Sequence, residues 1–186
     1  MPGTDAVAQK TGPAARSFLS EKLPTLIAVT TVILAVCATL ASFKAAGYGN
    51  KMVLAQSQAS DQWAYYQAKS IKETAYQVQR DSLSFVSPLP GKEQTYAAKL
   101  AEFDKEISRY KGEKKEIMEE AQRLEKERDI ARDFNSRFGQ SMIFLQIGIL
   151  LSSLASINKV PYYWYMALVS GGAGVVMFIH TLMITL

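Results

Sequence analysis

Residues 50–73, NKMVLAQSQASDQWAYYQAKSIKE, decide how the rest of the chain is read. The stretch is polar enough to lie in water and rich in Ala, Gln and aromatic residues, and it follows a long apolar run with no linker between them. From Pro24 onward the only soft points are Gly47 and Gly49, and the first strong breaker is Ser87-Pro88-Leu89-Pro90-Gly91. Proline fixes φ and lacks an N–H, so it suits a first helical turn and ends a helix elsewhere. One helix is therefore expected from Pro24 to Phe85, its first third apolar and the rest polar.

Apolar and charged residues are segregated along the 186-residue chain. Residues 22–43, 138–157 and 161–186 contain no Asp, Glu or Arg, and each approaches the roughly 20 residues that carry a helix across the hydrocarbon layer. The block 44–137 holds 17 of the 21 basic and 15 of the 17 acidic residues. That mixture of signs excludes the clustered basic stripe of a nucleic-acid interface, even with a sequence pI near 9.1. Residues 1–21 have few large apolar residues and no periodicity, and read as a disordered tail. The expected fold class is an all-α membrane protein with three transmembrane helices and a long antiparallel coiled-coil hairpin between the first and second.

The hairpin, 44–137 with its turn at 86–91, rests on spacing. Tyr96, Leu100, Phe103, Ile107, Tyr110, Lys114, Ile117, Ala121, Leu124, Arg128 and Ala131 follow at alternating steps of four and three, the 3.5-residue period of a coiled-coil seam. The outgoing arm offers Leu54, Ser57, Asp61, Ala64, Ala68, Ile71, Ala75, Val78, Ser82 and Phe85 at the same period. Folding the arms back at Pro88 pairs Ala68 with Tyr110, Ala75 with Phe103 and Leu54 with Leu124, small against large. Asp61 with Lys114, and Asn50 with Arg128, are then polar register devices in the seam.

This register leaves a second face on the outgoing arm. Met52, Ala59, Trp63, Tyr66 and Tyr76 point away from the seam and Tyr65 flanks it, so these six are the expected partner-binding residues, for a second copy or a helical membrane partner. In the third span Gly171, Gly172 and Gly174 let helix backbones approach closely in lipid. Tyr162 to Tyr165 form an aromatic belt at its start.

Chemistry has little to work with. A catalytic or metal centre needs convergent nucleophiles, bases or ligands. The chain has one His and one Cys, so no catalytic residue, metal site or cofactor is expected. Cys37 ends Leu34-Ala35-Val36-Cys37, which approximates a lipoprotein cleavage box. Val36 is bulky for one, however, and the apolar run continues past Cys37, so the segment reads as an uncleaved anchor. His180 has no carboxylate in any spanning segment to pair with.

Asn-Lys-Met at 50–52, Gln-Ala-Ser-Asp-Gln-Trp at 58–63 and Tyr-Tyr-Gln-Ala-Lys-Ser at 65–70 resemble the signature of the bacterial domain of unknown function 4337 family. The order of one apolar segment, a charged hairpin and two more apolar segments is similar too. The resemblance implies a small bacterial membrane protein and carries over no functional residues.

Together these features lead to the expectation of a non-enzymatic, multi-pass bacterial inner-membrane protein whose coiled-coil arm serves a homo-oligomeric scaffold or accessory subunit, with an oligomeric channel or transport subunit as the alternative. Its partners are the lipid bilayer and helices, not nucleic acid. Near the spans, Lys44, Lys51, Arg123, Lys126, Arg128, Arg132 and Arg137 outnumber Lys10, Arg16, Lys22 and Lys159, which leans the hairpin toward the cytoplasm.

Overall fold

A computed structural model describes residues 13–185, with side chains from Lys22 onward. The described chain is all-helical: α1 (Pro13–Ser84), α2 (Glu93–Asn158) and α3 (Pro161–Ile184), with no strand among the described residues. The expected disordered tail, 1–21, needs correction in its second half. Residues 1–12 lie outside the described residues, and the backbone from Pro13 is already helical. Pro13 opens this helix and Ala14 and Ala15 follow, which suits a first turn. Pro24 consequently stands inside α1 rather than in its first turn.

The helices end where local chemistry stops them. Between α1 and α2, Pro88 and Pro90 interrupt the backbone ladder, and Gly91 takes φ +82°, which a side chain disfavours. Tyr96 closes this turn by donating its hydroxyl to the Leu83 carbonyl at 2.6 Å. Between α2 and α3 only Lys159 and Val160 intervene. Lys159 is in the left-handed region at φ 54°, and Pro161 starts α3.

The described chain forms two compact units, one comprising its residues up to Tyr48 and from Asp133 to 185, the other Gly49–Arg132. In the first unit the three helices share a core of Leu34, Ala41, Phe138, Leu145 and Phe178. They meet most tightly at Leu34, Gly148 and Gly171: a Cβ on Gly148 would stand 2.9 Å from the Gly171 Cα, and one on Gly171 would stand 2.7 Å from the Leu34 methyls. Phe138 stacks on Tyr48 (5.8 Å between ring centres) and tilts against Phe178 (5.9 Å).

Outside this core, large apolar side chains face outward, among them Val32 and Phe43 on α1, Leu150 and Ile157 on α2, and Val169 and Val176 on α3. Soluble proteins rarely expose so much contiguous apolar surface. All three helices are long and apolar enough to cross a membrane.

In the second unit α1 and α2 run antiparallel and in contact. From α2, Phe103, Tyr110, Ile117, Ala121, Leu124 and Ala131 are buried, the face that the seven-residue spacing singles out. On α1, Ala55, Ala59 and Glu73 are buried, and Met52, Gln62, Trp63, Tyr66, Tyr76 and Leu83 are half-buried. This is not the α1 face that the aliphatic pattern picks out. All ten residues of that pattern, from Leu54 to Phe85, are exposed.

Candidate functional site

The α1 surface in the second unit therefore has two faces, and which one α2 covers decides what each residue can do. The covered face is built from amphipathic side chains. An aromatic ring buries about 150–250 Å² and still presents a polar tip, so Trp63, Tyr66 and Tyr76 outcompete the small aliphatic stripe for α2. Trp63 donates its indole N–H to Glu125 at 3.0 Å and meets Tyr66 edge-on at 5.6 Å. Tyr76 packs on Tyr110 and Phe103, with ring centres 5.8 and 6.0 Å apart.

At the middle of this face lies an ionic layer. Lys114 Nζ donates to Glu73 Oε2 at 2.8 Å and sits 5.1 Å from the centre of the Tyr66 ring. Gln77 donates to the other Glu73 oxygen at 3.1 Å. One turn away Lys69 Nζ stands 2.6 Å from Glu113 Oε2 and close to the Tyr65 and Tyr110 rings. The hydrogen bond to Glu73 holds the Lys114 ammonium above its ordinary range, against the desolvation that would lower it. Lys69 is raised in the same way by Glu113, and Glu113 is lowered by Lys69.

These contacts correct the residue assignments made from sequence. Met52, Ala59, Trp63, Tyr66 and Tyr76 face α2 instead of pointing away from it; of the six, Tyr65 alone is exposed, at 49%. Lys114 pairs with Glu73, not Asp61, and Asp61 is exposed. Arg128 donates to Gln56 at 2.9 Å, while Asn50 is exposed. Tyr110 meets Tyr76 in place of Ala68, so in all three cases α1 is displaced by more than a helical turn from the expected register. In the first unit Gly171 and Gly174 are buried, whereas Gly172 faces outward and a Cβ added there would meet nothing within 4 Å.

Sequence reasoning missed Glu73 and Glu125, which read as solvated charges. One signal was available: Ala59, Tyr66 and Glu73 follow at steps of seven, as do Ala55, Gln62, Lys69 and Tyr76. Among the described residues no three His, Cys, Asp or Glu side chains lie close enough to hold a metal ion. What this face does chemically is lock two helices in one register, through buried charge and fitted rings.

The opposite face of α1 is the one left open. Leu54, Ser57, Asp61, Ala64, Ala68, Ile71, Ala75, Val78, Ser82 and Phe85 keep alternating three-four spacing, and Ile71 is 70% and Phe85 89% exposed. A stripe of that period is shaped for a helix.

The profile of the domain of unknown function (DUF4337) matches residues 23–184. The chain belongs to the DUF4337 family. The match takes in the three long apolar segments and both faces of α1. No curated protein and no solved structure matches the chain.

Proposed function

We propose that this DUF4337 protein is a non-enzymatic, multi-pass protein of the bacterial inner membrane. In this reading the antiparallel pair of the second unit is a coiled-coil hairpin that serves as an interaction arm, on the cytoplasmic side by its basic flanks, and copies associate through α1 into a scaffold or accessory subunit. The observation that carries the reading is the exposed stripe from Leu54 to Phe85, ten positions at coiled-coil spacing that no helix covers among the described residues. The occupant is a second copy. Two copies anchored in one bilayer run their α1 helices parallel, so each stripe position meets itself and the two periods match along the whole length. Ala64, Ala68 and Ala75 allow close approach, while Ile71 and Val78 fill the layers on either side of Ala75. Asp61 against Asp61 is the one repulsive layer and keeps the association reversible.

Mass measurement of the detergent-purified full chain tests this. A dimer or larger species is expected, reduced to monomer by Ile71→Glu with Val78→Glu and tightened by Asp61→Ala. A monomeric wild-type chain refutes it. A channel subunit is the second reading, and its support is an outward groove of about 560 Å³ where Thr39, Ser42 and Gln146 bring polar groups among apolar helices. Ion currents in planar bilayers that change with Gln146→Leu would favour it; electrical silence would favour the scaffold.

A further inference from the structure

The first unit holds a cavity of about 360 Å³ between α2 and α3, lined by Asp133, Ser136, Arg137 and Gln140 from α2 and by Met177, His180 and Thr181 from α3. Asp133 is the last acidic and Arg137 the last basic residue before the uncharged part of α2 begins. Among the described residues Asp133, Arg137, Gln140 and His180 have no hydrogen-bond or ion-pair partner. All four are exposed; Asp133 and Arg137 share this lack of a partner with Lys105, Lys111, Glu116, Lys126 and Arg132, whereas most other charges of α2 are paired. Contact of Phe138 with Phe178 fixes α2 against α3, so His180 stands near the level of Ser136 and Arg137.

Polarity along the cavity is ordered by depth. By helical rise Gln140 lies nearest the uncharged part of α2, Arg137 next, and Asp133 about 6 Å beyond Arg137, four residues at ~1.5 Å each; the Phe138–Phe178 contact puts Met177 near the level of Gln140 and His180 near that of Arg137. A zwitterionic phospholipid has the same order: acyl chains, then phosphate, then a terminal ammonium. We infer that this cavity binds the phosphoethanolamine headgroup of a bilayer lipid, with Arg137, Gln140 and His180 on the phosphate and Asp133 on the ammonium. Arginine provides a forked donor set matched to phosphate, and the carboxylate rejects a headgroup without a cation. Met177 gives the glycerol end an apolar wall.

The inference rests on the membrane reading above, and the two can fail separately. Carbonate extraction of cell membranes reports the membrane reading: release of the chain into the soluble fraction overturns both. For the headgroup, native mass spectrometry is run on the full chain in detergent with equimolar phosphatidylethanolamine and phosphatidylglycerol. Wild type is expected to retain the ethanolamine lipid by about fivefold, the ratio one exposed ion pair supports. Asp133→Asn is expected to remove that preference while retaining both lipids, and Arg137→Gln to lower retention of both. Free phosphoethanolamine and inorganic phosphate are expected to leave the lipid bound; displacement by either assigns the site to a soluble phosphate compound and overturns the lipid assignment. Equal retention of the two lipids by wild type, or a preference unchanged in Asp133→Asn, also overturns it. Circular dichroism of each variant confirms that helicity is kept.

Discussion

Replacing Lys114 by Met is the most informative single change in the helix pair. The Glu73 side chain is 8% exposed and that of Lys114 21% exposed, with 2.8 Å between the charged atoms. The substitution leaves Glu73 with one neutral donor, Gln77, for a buried carboxylate. Breaking a fully buried pair costs about 3–5 kcal/mol; with a fifth of Lys114 open to solvent the expected loss is about 2 kcal/mol. Adding Glu73→Leu removes the stranded charge and is expected to restore most of that loss, because a packed apolar pair of similar volume is often as stable as an ionic one. Asp61→Leu, at a position exposed in the single chain, is expected to leave stability unchanged or, where copies associate, to raise it. Denaturation of the full chain followed by circular dichroism gives all four values. A Lys114→Met loss below about 0.5 kcal/mol, or a double variant less stable than Lys114→Met alone, would refute the proposed role of this pair.

In the first unit Gly174→Ala is expected to destabilise by about 1–3 kcal/mol, since its Cβ would stand 2.9 Å from the Leu145 nitrogen and 3.0 Å from the Ser141 carbonyl, backbone atoms that cannot swing aside. Gly172→Ala, which meets open space, is expected to be neutral or slightly stabilising by helix propensity; detergent unfolding titrations compare the two. Thermal melting of the chain is expected to be flat from about pH 5 to about pH 10. Lys114 and Lys69 are raised from 10.5, so their contribution is complete below that value and is lost as pH climbs past it. Glu113 is lowered from 4.5, so its contribution is complete above that value and is lost as pH falls below it. A transition near neutral pH would contradict these assignments.

The seven-residue period was legible in α2 because its inward positions are large and apolar, from Phe103 through Ile117 to Leu124. In α1 the period was equally legible but the face was not. Hydrophobicity favours Ile71, Val78 and the alanines, and they are exposed. The covered face carries Trp63, Tyr66, Glu73 and Tyr76, and α2 brings Glu125 to Trp63, Lys114 to Glu73 and the Tyr66 ring, and Tyr110 to Tyr76. Glu73 looks like solvent-facing charge until Lys114 and Gln77 are seen around it. Register followed the face: a pairing chosen for Ala68 with Tyr110 could not survive once Tyr76 took that position. The close approach at Gly148 and Gly171 was half legible, since three glycines in a row of small residues announce packing but not which of them faces inward.

Cysteine crosslinking in native membranes, in a Cys37→Ser background, addresses self-association through α1 most directly. Ile71→Cys lies on the exposed stripe and Trp63→Cys on the face held by α2. Mild oxidation is expected to give a disulfide-linked dimer from Ile71→Cys and none from Trp63→Cys. A dimer formed through residue 63 but not 71, or no dimer at either position, would contradict self-association through the Leu54 to Phe85 stripe.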